Sequence, residues 1–474
     1  MKKKWMTFAL LLALSIAGLA EAGRLTARTA HQVTWENQTL LGDPAAVSDL
    51  NITVRHNDRN HLFWESKIDP SGAGEVEFRF RSKGPAPKTE PRYSIMIESS
   101  LYGDVSWSGQ FSMTEDDVKR RPELKLAQDV AERAPDQGSY TETVAYGDYF
   151  DSLTPAVRIS LPGENQDMYM AQALDPQTYG ADPERVKIMA QLSQAFRFPV
   201  PEDFCVEVTV VMADGRVKNV GINEHGEDYL YIDCDYIMAG DYIYFTVNGF
   251  CGWEGDQDVE LDYSLHPAGC KAVYRLPTAD RPLTLEDLEI VQRLEQGDQV
   301  CAMNTDPDNS HVMVDVRKGD REQICVLNNT TGQPELEADC GPCSVENFGL
   351  GGGLLTWKDL ALSINGDRLI LLQEQNGTYR VAMTGMIPEE IGSWKGRSSM
   401  HYFQAAYDGE RLALGTVLDI RPGTGSTGEW LDGAADLGLL VYEVSQPVYA
   451  GELIPSLGRG NYVRPDDSPI ELSW

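Results

Sequence analysis

The sequence predicts a mainly β protein, an irregular β-propeller-like repeat fold of small sheets with short helical insertions. Three observations lead there: segments that alternate apolar and polar residues, turn signals between them, and two matching hairpins 408 − 365 = 43 residues apart. Alternation with a period of two is typical of half-buried strands. Repeats of 40 to 50 residues are typical of propeller blades. Tandem β-sandwich domains are the alternative that the same pattern allows.

The first residues have the parts of an export signal. Lys2, Lys3 and Lys4 precede an uncharged run from Trp5 to Ala20, which the triplet Ala20-Glu21-Ala22 follows. A basic head, an apolar run and such a triplet are typical of a secretory signal peptide. The run has 20 − 4 = 16 residues, whereas a membrane-spanning helix needs about 20. Residues 1–22 are therefore predicted to be either a cleaved signal peptide or an N-terminal membrane anchor.

The rest of the chain is expected to lie outside the cytoplasm. Residues 23–39 are predicted to be a polar tether, and residues 40–474 a β-rich extracytoplasmic domain that is secreted or anchored by one N-terminal helix. The net charge of −33 repels phosphate backbones and excludes nucleic acid as a partner. The expected partners are an unidentified envelope protein or extracellular ligand, and the membrane itself if the N-terminal segment stays uncleaved.

Strands are predicted from alternation at 51–55 and 75–80, and from aromatic and β-branched runs at 228–232 and 241–247. Three helices are predicted as insertions, at 115–133, 182–196 and 284–294. The second has Asp182 as N-cap and Pro183 at its first position, and the third follows Thr284.

The clearest organisational signal lies in the C-terminal third. Asn365-Gly366 and Asp408-Gly409 each separate two apolar runs, and such dipeptides are strong hairpin signals. Arg380–Gly385 and 448–451 also match, but 66 residues apart, which predicts an insertion of 66 − 43 = 23 residues near 421–433. That insertion and residues 282–296 are the candidates for loops that decorate a binding face.

On these hairpins and on the aromatic strand before each closing glycine, the chain resembles irregular β-propellers of exported bacterial proteins. It also resembles membrane-anchored proteins of Gram-positive type. The resemblance covers about a third of the chain. It implies an extracytoplasmic location and a role in binding, and it implies no particular activity.

Eight cysteines all lie between 205 and 343, and an even number in an exported chain favours disulfide bonds. The disulfide candidates are Cys205, Cys234, Cys251, Cys270, Cys301, Cys325, Cys340 and Cys343. The motif Cys340-Gly341-Pro342-Cys343 matches the redox loop of thioredoxins, but no helix pattern follows it and Asp339 precedes it. A structural disulfide, either local or to other cysteines, is the preferred interpretation, and redox chemistry or a metal site is the alternative.

Two acidic stretches are candidates for calcium, the one cofactor that the sequence suggests. The candidates are Asp256, Asp258, Glu260 and Asp262, which alternate as on one face of a strand, and Asp306 and Asp308, which lie in a short loop. Calcium takes six to eight oxygen ligands. Neither stretch matches the helix–loop–helix calcium motif, and chance clustering among 73 acidic residues is the alternative.

No catalytic signature stands out in the sequence. It contains no H-E-x-x-H, no G-x-S-x-G and no G-x-x-x-x-G-K-[ST] motif. The expected function is therefore extracytoplasmic binding, sensing or scaffolding, with no catalytic residues assigned. A secreted hydrolase of glycans or peptides is the first alternative, since it needs only two suitably spaced carboxylates. A thiol–disulfide or metal protein that uses the C-G-P-C motif is the second.

Overall fold

The computed structural model describes most of the chain, and β-strands dominate what it describes. The described residues are 2–30, 34–57, 62–80, 93–99, 123–160, 183–224, 229–252, 259–278, 281–342, 353–365, 367–394, 403–418, 436–456 and 464–474.

The strands of the first half of the chain are β1 (Trp35–Gly42), β2 (Asn51–Asn57), β3 (Leu62–Ile68), β4 (Gly74–Phe80), β5 (Ser94–Glu98), β6 (Gly138–Ala145), β7 (Ser152–Leu153), β8 (Ala156–Ser160), β9 (Phe198–Pro199), β10 (Cys205–Ala213), β11 (Arg216–Glu224) and β12 (Tyr229–Ala239).

The strands of the second half are β13 (Tyr242–Gly252), β14 (Val259–Glu260), β15 (Ala272–Pro277), β16 (Glu289–Arg293), β17 (Gln299–Thr305), β18 (His311–Lys318), β19 (Arg321–Asn328), β20 (Pro334–Pro342), β21 (Gly353–Trp357), β22 (Leu360–Asn365), β23 (Arg368–Gln375), β24 (Thr378–Met386), β25 (Gln404–Tyr407), β26 (Arg411–Leu418), β27 (Asp436–Glu443), β28 (Gln446–Pro455) and β29 (Arg464–Ser473).

Helices are few among the described residues. They are the α-helices α1 (Lys2–Ala30), α2 (Leu124–Arg133) and α3 (Pro183–Ala195), and short 3₁₀ turns at Pro44–Val47, Tyr146–Asp148, Leu285–Asp287 and Glu389–Trp394. The predicted export segment lies within α1. In the part of the chain that the structure describes, no helix has the length and hydropathy of a membrane span.

The chain divides into two compact units. The first comprises Met1–Lys88, Asp320–Gln323 and Ala338–Trp474. Its sheets have the strand orders β29-β2-β3-β4, β21-β22-β23-β24 and β1-β28-β27-β26-β25, with antiparallel pairing in every register. Both ends of the chain complete sheets that distant residues begin, because β1 pairs with β28 and β29 pairs with β2.

The first unit buries both faces of its central strands. In β27, Leu440 and Tyr442 join one hydrophobic cluster, whereas Leu439 and Val441 join another. Successive side chains of a strand point to opposite faces of the sheet. A strand buried on both faces therefore reads as a continuous apolar run, and Leu437–Val441 is such a run.

The second unit comprises Thr89–Gly319 and Ile324–Glu337. It contains the sheets β11-β10-β6 and β12-β13-β15-β16, with β14 added to β13, and the small pairs β5-β8 and β7-β9. It also contains β17, β18 and parts of β19 and β20, which form one sheet. The first residues of β19 and the last residues of β20 are assigned to the first unit. Helix α2 buries Leu126 and Val130 in the same cluster as Val208 of β10.

The β12-β13-β15-β16 sheet separates two clusters and positions the site described below. Ile232 and Phe245 point into the large cluster that contains the α3 side chain Leu192. On the other face, Tyr244 and Val273 pack with side chains of β18 and β19. Toward the Tyr229 end of β12, this second face becomes polar.

The predicted fold class is confirmed: the protein is mainly β, and many small antiparallel sheets of two to five strands form an irregular propeller-like repeat with short helical insertions. Both predicted hairpins exist, at Asn365 opposite Arg368 and at Tyr407 opposite Leu412. They are not equivalent, however, because the first joins the second and third strands of its sheet, whereas the second joins β25 and β26, the first two.

The predicted helices have three outcomes. The helix at 182–196 is confirmed as α3, and α2 covers the described part of the helix predicted at 115–133. The helix predicted at 284–294 is wrong, since Leu285–Asp287 is one 3₁₀ turn and β16 follows it, paired with β15. The candidate decoration at 282–296 is therefore part of a sheet, and that at 421–433 lies outside the described residues. Strand β1 begins inside the predicted tether.

Two tight hairpins have the same left-handed backbone conformation at both turn positions, but only one of them has residues that suit it. Asn376 and Gly377 join β23 to β24, and Val444 and Ser445 join β27 to β28, all four with positive φ. Two consecutive positive φ values define the turn that favours Asn-Gly, and they strain a β-branched residue.

We expect the double variant V444N/S445G to be about 1–2 kcal/mol more stable than the parent, because it removes this strain. Urea unfolding of the full chain measures the difference. The reverse exchange at the matched turn, N376V/G377S, should lower the free energy of unfolding. Equal stability of all three proteins would contradict the explanation.

Candidate functional site

The polar end of the β12–β13 sheet face is the candidate functional site, and we name it the acid–aromatic face. It consists of Tyr231, Asp233 and Asp235 of β12, Asn248 and Phe250 of β13, Glu260 of β14, and Lys271 just before β15. The register places Tyr231 opposite Phe250, Asp233 opposite Asn248 and Phe250 opposite Glu260. Alternation along each strand then brings these side chains to one face.

One half of the face is closed around an internal ammonium group. Lys271 Nζ lies 2.8 Å from Glu260 Oε1, and its side chain is 1% exposed. The ammonium lies 5.7 Å from the ring centroid of Phe250 and 5.6 Å from that of Tyr263. Glu260 Oε2 accepts a hydrogen bond from the Gly297 N–H at 2.6 Å. The charge of Lys271 is thus balanced by one carboxylate and two aromatic rings.

The other half is open and acidic. Tyr231 donates its hydroxyl hydrogen to Asp233 Oδ2 at 2.7 Å, and Asn248 donates to Asp235 Oδ2 at 3.0 Å. Asp233 Oδ1 is buried and has no hydrogen-bond partner. Partial burial and then the charge of Asp233 raise the pKa of Asp235 above its usual range, although Asn248 and Lys271 oppose this. Tyr231 is 47% exposed.

The open half therefore offers acceptors and a ring rather than a nucleophile. Two carboxylates two residues apart carry negative charge that no ion pair balances among the described residues. A buried acceptor without a partner costs about 1–3 kcal/mol.

Of the calcium candidates that the structure describes, Glu260 is the one that belongs to this face. Its carboxylate is already bound by Lys271 and Gly297. Asp262 binds the backbone N–H and hydroxyl of Ser264, both at 2.8 Å, and β14 ends before it. Asp256 and Asp258 lie outside the described residues. Within the described ranges, no group of three His, Cys, Asp or Glu side chains is placed to hold a metal ion.

Asp306 and Asp308 lie in the β17–β18 turn, where they hold a buried histidine. His311 Nδ1 lies 2.8 Å from Asp306 Oδ2, and Nε2 lies 3.2 Å from Glu335 Oε2. Ser310 Oγ donates to Asp306 Oδ2 at 2.7 Å, and Asp308 accepts the Ser310 N–H at 3.1 Å. Hydrogen bonding to Asp306 raises the pKa of His311, although burial opposes this.

This serine, histidine and carboxylate arrangement does not suit nucleophilic catalysis. A catalytic histidine must be neutral to accept the serine proton. Here both ring nitrogens face carboxylates, which favours the imidazolium. Ser310 Oγ also lies 2.8 Å from His311 Nδ1, but it donates its hydrogen to Asp306 Oδ2. The network connects the β17–β18 turn to β20 and stabilises the sheet.

The seven described cysteines show no disulfide bond, so disulfide crosslinks gain no support from the structure. Cys234 faces Val247 across the ladder, four residues from Cys251, a separation of roughly 13 Å. Cys301 and Cys325 are separated by β18. Bridged cysteines have Cα atoms within about 7 Å. Burial raises the pKa of the Cys234 and Cys325 thiols to about 12.

The C-G-P-C motif lies at a strand end, and Cys343 is outside the described residues. Cys340 belongs to β20, not to the start of a helix, so the dipole that activates thioredoxin-type thiols is missing. Cys340, Glu322, Ser363 and Arg368 line a small cavity within the first unit.

Comparisons with known proteins give a general likeness of fold. No protein-family model and no curated protein matches the chain. The N-terminal domain of Nup159 is 10% identical and covers 54% of this chain and 59% of its own, with a TM-score of 0.21. The Cps50 (Swd1) β-propeller domain of Myceliophteria thermophila is 11% identical and covers 55% and 82%, with a TM-score of 0.19. TolB of Acinetobacter baumannii is 9% identical and covers 70% and 82%, also at 0.19.

The chain spans 58% and 59% of the length of the first two solved chains that it matches. At TM-scores this low, the fold assignment depends on the sheets themselves, and no functional argument depends on the likeness.

The His311 network predicts a stability that depends on pH. Its raised pKa means that the contribution of His311 is fully present below about 6.5 and is lost as pH rises through the raised pKa. The H311Q variant should therefore be about 3 kcal/mol less stable at pH 5.5, with a smaller deficit at pH 9.5. Urea unfolding at both values measures this. D308N is the matched control in the same turn and should change little; a deficit of H311Q that is independent of pH would contradict the prediction.

His266 predicts the opposite dependence. Its ring lies 4.6–5.3 Å from those of Phe196, Phe198 and Tyr263, and burial lowers its pKa to about 4. The unfolded chain binds the proton more tightly, so stability is full above about 6.5 and falls as pH drops toward 4. Below pH 4 the loss approaches about 3 kcal/mol. Wild type should lose more stability than H266Q between pH 7 and 4.5 in urea titrations, and parallel losses would refute this.

Proposed function

We propose that this chain is an extracytoplasmic binding, sensing or scaffold protein of the bacterial cell envelope, and that the acid–aromatic face is its ligand-binding surface. One observation carries the choice of surface. Asp233 holds a buried carboxylate oxygen without a hydrogen-bond partner, directly beside the half-exposed ring of Tyr231. Buried polar atoms are satisfied in most folded proteins. Several described side chains have an atom without a partner, and in Asp233 that atom lies beside an exposed ring and a second carboxylate, which favours a functional role.

The face is also rigid enough to serve as a site. Its residues project from two eleven-residue strands that are paired along their whole length. Binding groups held on paired strands keep their positions better than groups on loops, and less order is lost when the ligand arrives. The Lys271–Glu260 ion pair on the same face joins β14 to the residue before β15.

The location outside the cytoplasm is supported by the sequence. The basic head, the 16-residue uncharged run and the Ala20-Glu21-Ala22 triplet favour export or anchoring. The acidic composition favours solubility and disfavours adhesion to anionic lipids. The ligand expected on this basis is an extracellular molecule or the exposed part of another envelope protein.

Binding is favoured over hydrolysis because of how the acids are arranged. A glycosidase places two carboxyl groups on opposite sides of a bond, with one of them protonated near neutral pH. Asp233 and Asp235 instead point from one strand to the same side.

The test is a set of thermal unfolding measurements on the full chain with three separate probes: choline, calcium ion and a chitin hexasaccharide. We expect at least one probe to raise Tm by 2 °C or more at saturation, because binding to the folded state alone stabilises it. The shift should disappear in D233N and in Y231A, and no probe should be turned over.

E202Q is the matched control, since Glu202 is exposed, lies in the same unit and carries the same charge. Its Tm shift should equal that of wild type. The proposal fails if no probe shifts Tm, if D233N and Y231A respond like wild type, or if the hexasaccharide is cleaved.

A further inference from the structure

We infer that the turn at residues 261–270 is an acid-sensitive switch, which stays closed while the His266 ring is neutral and opens locally when that ring takes up a proton. The turn connects β14 to β15 within the second unit. The inference is independent of the proposed ligand-binding surface, because it concerns a conformational change of the chain itself.

The turn is held to the rest of the unit by its side chains rather than by a ladder of backbone bonds. Leu261, Tyr263, His266 and Ala268 are buried, whereas the residues between them are exposed. At its start, the Leu261 N–H donates to the Gly249 carbonyl at 2.9 Å, and the Tyr263 hydroxyl accepts the Gly249 N–H at 3.0 Å. Segments with few backbone bonds to their surroundings open more easily than paired strands.

The His266 ring lies among aromatic rings that offer it no hydrogen bond. Its centroid is 5.3 Å from that of Phe196, 4.6 Å from that of Phe198 and 5.0 Å from that of Tyr263. The residue is 4% exposed, and neither ring nitrogen has a hydrogen-bond partner among the described residues. A neutral imidazole can occupy such a place, whereas an imidazolium has two N–H donors and a charge that remain unsolvated.

The turn itself does not compensate for this burial. Burial lowers the pKa of His266 to about 4, although the Phe196 carbonyl and the charge of Asp262 oppose this. Asp262 is exposed and accepts two hydrogen bonds from Ser264, both at 2.8 Å. Its carboxylate therefore faces solvent and its own turn rather than the ring.

The other elements around the ring supply no counter-charge in the part of the chain that the structure describes. Burial raises the pKa of Tyr263 and of Tyr274, which packs on the other side of Phe196, so both hydroxyls stay neutral in acid. The cations beside the turn are Arg197, Lys271 and Arg293, which donate to the Gln194 carbonyl, to Glu260 and to the Ala268 carbonyl.

Proton binding is therefore linked to opening. In the open turn His266 regains its ordinary pKa of about 6.5, whereas in the closed turn the pKa is about 4. The closed turn is fully stable above about pH 6.5, and its stability falls as the pH drops toward 4. The equilibrium constant for opening rises about 25-fold between pH 7.5 and pH 5, since the open form binds the proton more tightly.

Opening of the turn alone releases the ring. The two ends of the turn are fixed to each other, because Lys271 binds Glu260 at 2.8 Å. The β13–β15 ladder begins beyond the turn, so His266 can reach water without breaking a pair of that ladder. Its departure uncovers the rings of Phe196 and Phe198, and an apolar surface is exposed on acidification.

The test is hydrogen exchange of the full chain at pH 7.5 and pH 5, followed by mass spectrometry and corrected for the intrinsic effect of pH on exchange. We expect protection in peptides that cover residues 261–270 to fall about 25-fold, because exchange there follows the opening constant. Peptides from β10 serve as the reference and should change less than threefold.

Variants assign the effect to the His266 ring. In H266Q and in H266M the side chain stays neutral at both pH values, so protection of the turn should change less than threefold. H311Q is the matched control, since it removes another buried histidine of the same unit, and it should keep the full decrease of wild type. Circular dichroism confirms that each variant is folded, and the comparison of the turn with β10 in wild type needs no variant.

The inference is overturned if protection of the turn is equal at the two pH values, or if H266Q and H266M lose it as wild type does. It is also overturned if β10 loses protection to the same extent as the turn, since that result would mean unfolding of the whole unit.

Discussion

The register of β13 between β12 and β15 is the constraint on which the second unit and its candidate site depend. Phe245 faces the large cluster beneath α3, and the neighbouring Tyr244 faces the opposite cluster. Because side chains alternate, a slip of β13 by one residue would exchange these two rings and direct its Asn248 into the large apolar cluster. Burying an amide there without hydrogen-bond partners would be costly. The same ladder that fills both cores therefore fixes which side chains remain on the open face.

The alternation of apolar and polar residues allowed many strands to be predicted. It did not show which turns occupy equivalent positions in successive sheets. Gly319-Asp320-Arg321 and Gly366-Asp367-Arg368 are 368 − 321 = 47 residues apart, and both precede the third strand of a four-stranded sheet. They are the equivalent turns, whereas Asp408-Gly409 precedes a second strand. The sequence of a turn followed by arginine does not show whether the next strand is the second or the third of its sheet. That position depends on pairing with residues far away in the sequence.

The failed helix at 284–294 shows how distant pairing overrides a local signal. Thr284 and Asp287 do form the reciprocal cap that opens helices. The helix nevertheless ends after one 3₁₀ turn, because Glu289 and Ile290 find ladder partners in Arg275 and Tyr274. Buried Arg275 then binds Glu289 at 2.7 Å. A short helix is only marginally stable by itself. The pairing of β16 with β15 and the Arg275–Glu289 ion pair stabilise the extended conformation of this segment more than a short helix would be stabilised.

Only part of the acid–aromatic face could be predicted from the sequence. Tyr231, Asp233 and Asp235 alternate visibly, which predicts that they share one face of a strand. Their partners could not be predicted, since Asn248, Glu260 and Lys271 come from three later segments. The prediction of calcium at Glu260 was based on the acids next to it in the sequence, whereas in the fold Glu260 forms an ion pair with Lys271. Once Lys271 pairs with Glu260, the unpaired negative charge of this face belongs, among the described residues, to Asp233 and Asp235, so the fold and not the local sequence decides which acids are left without a counter-charge.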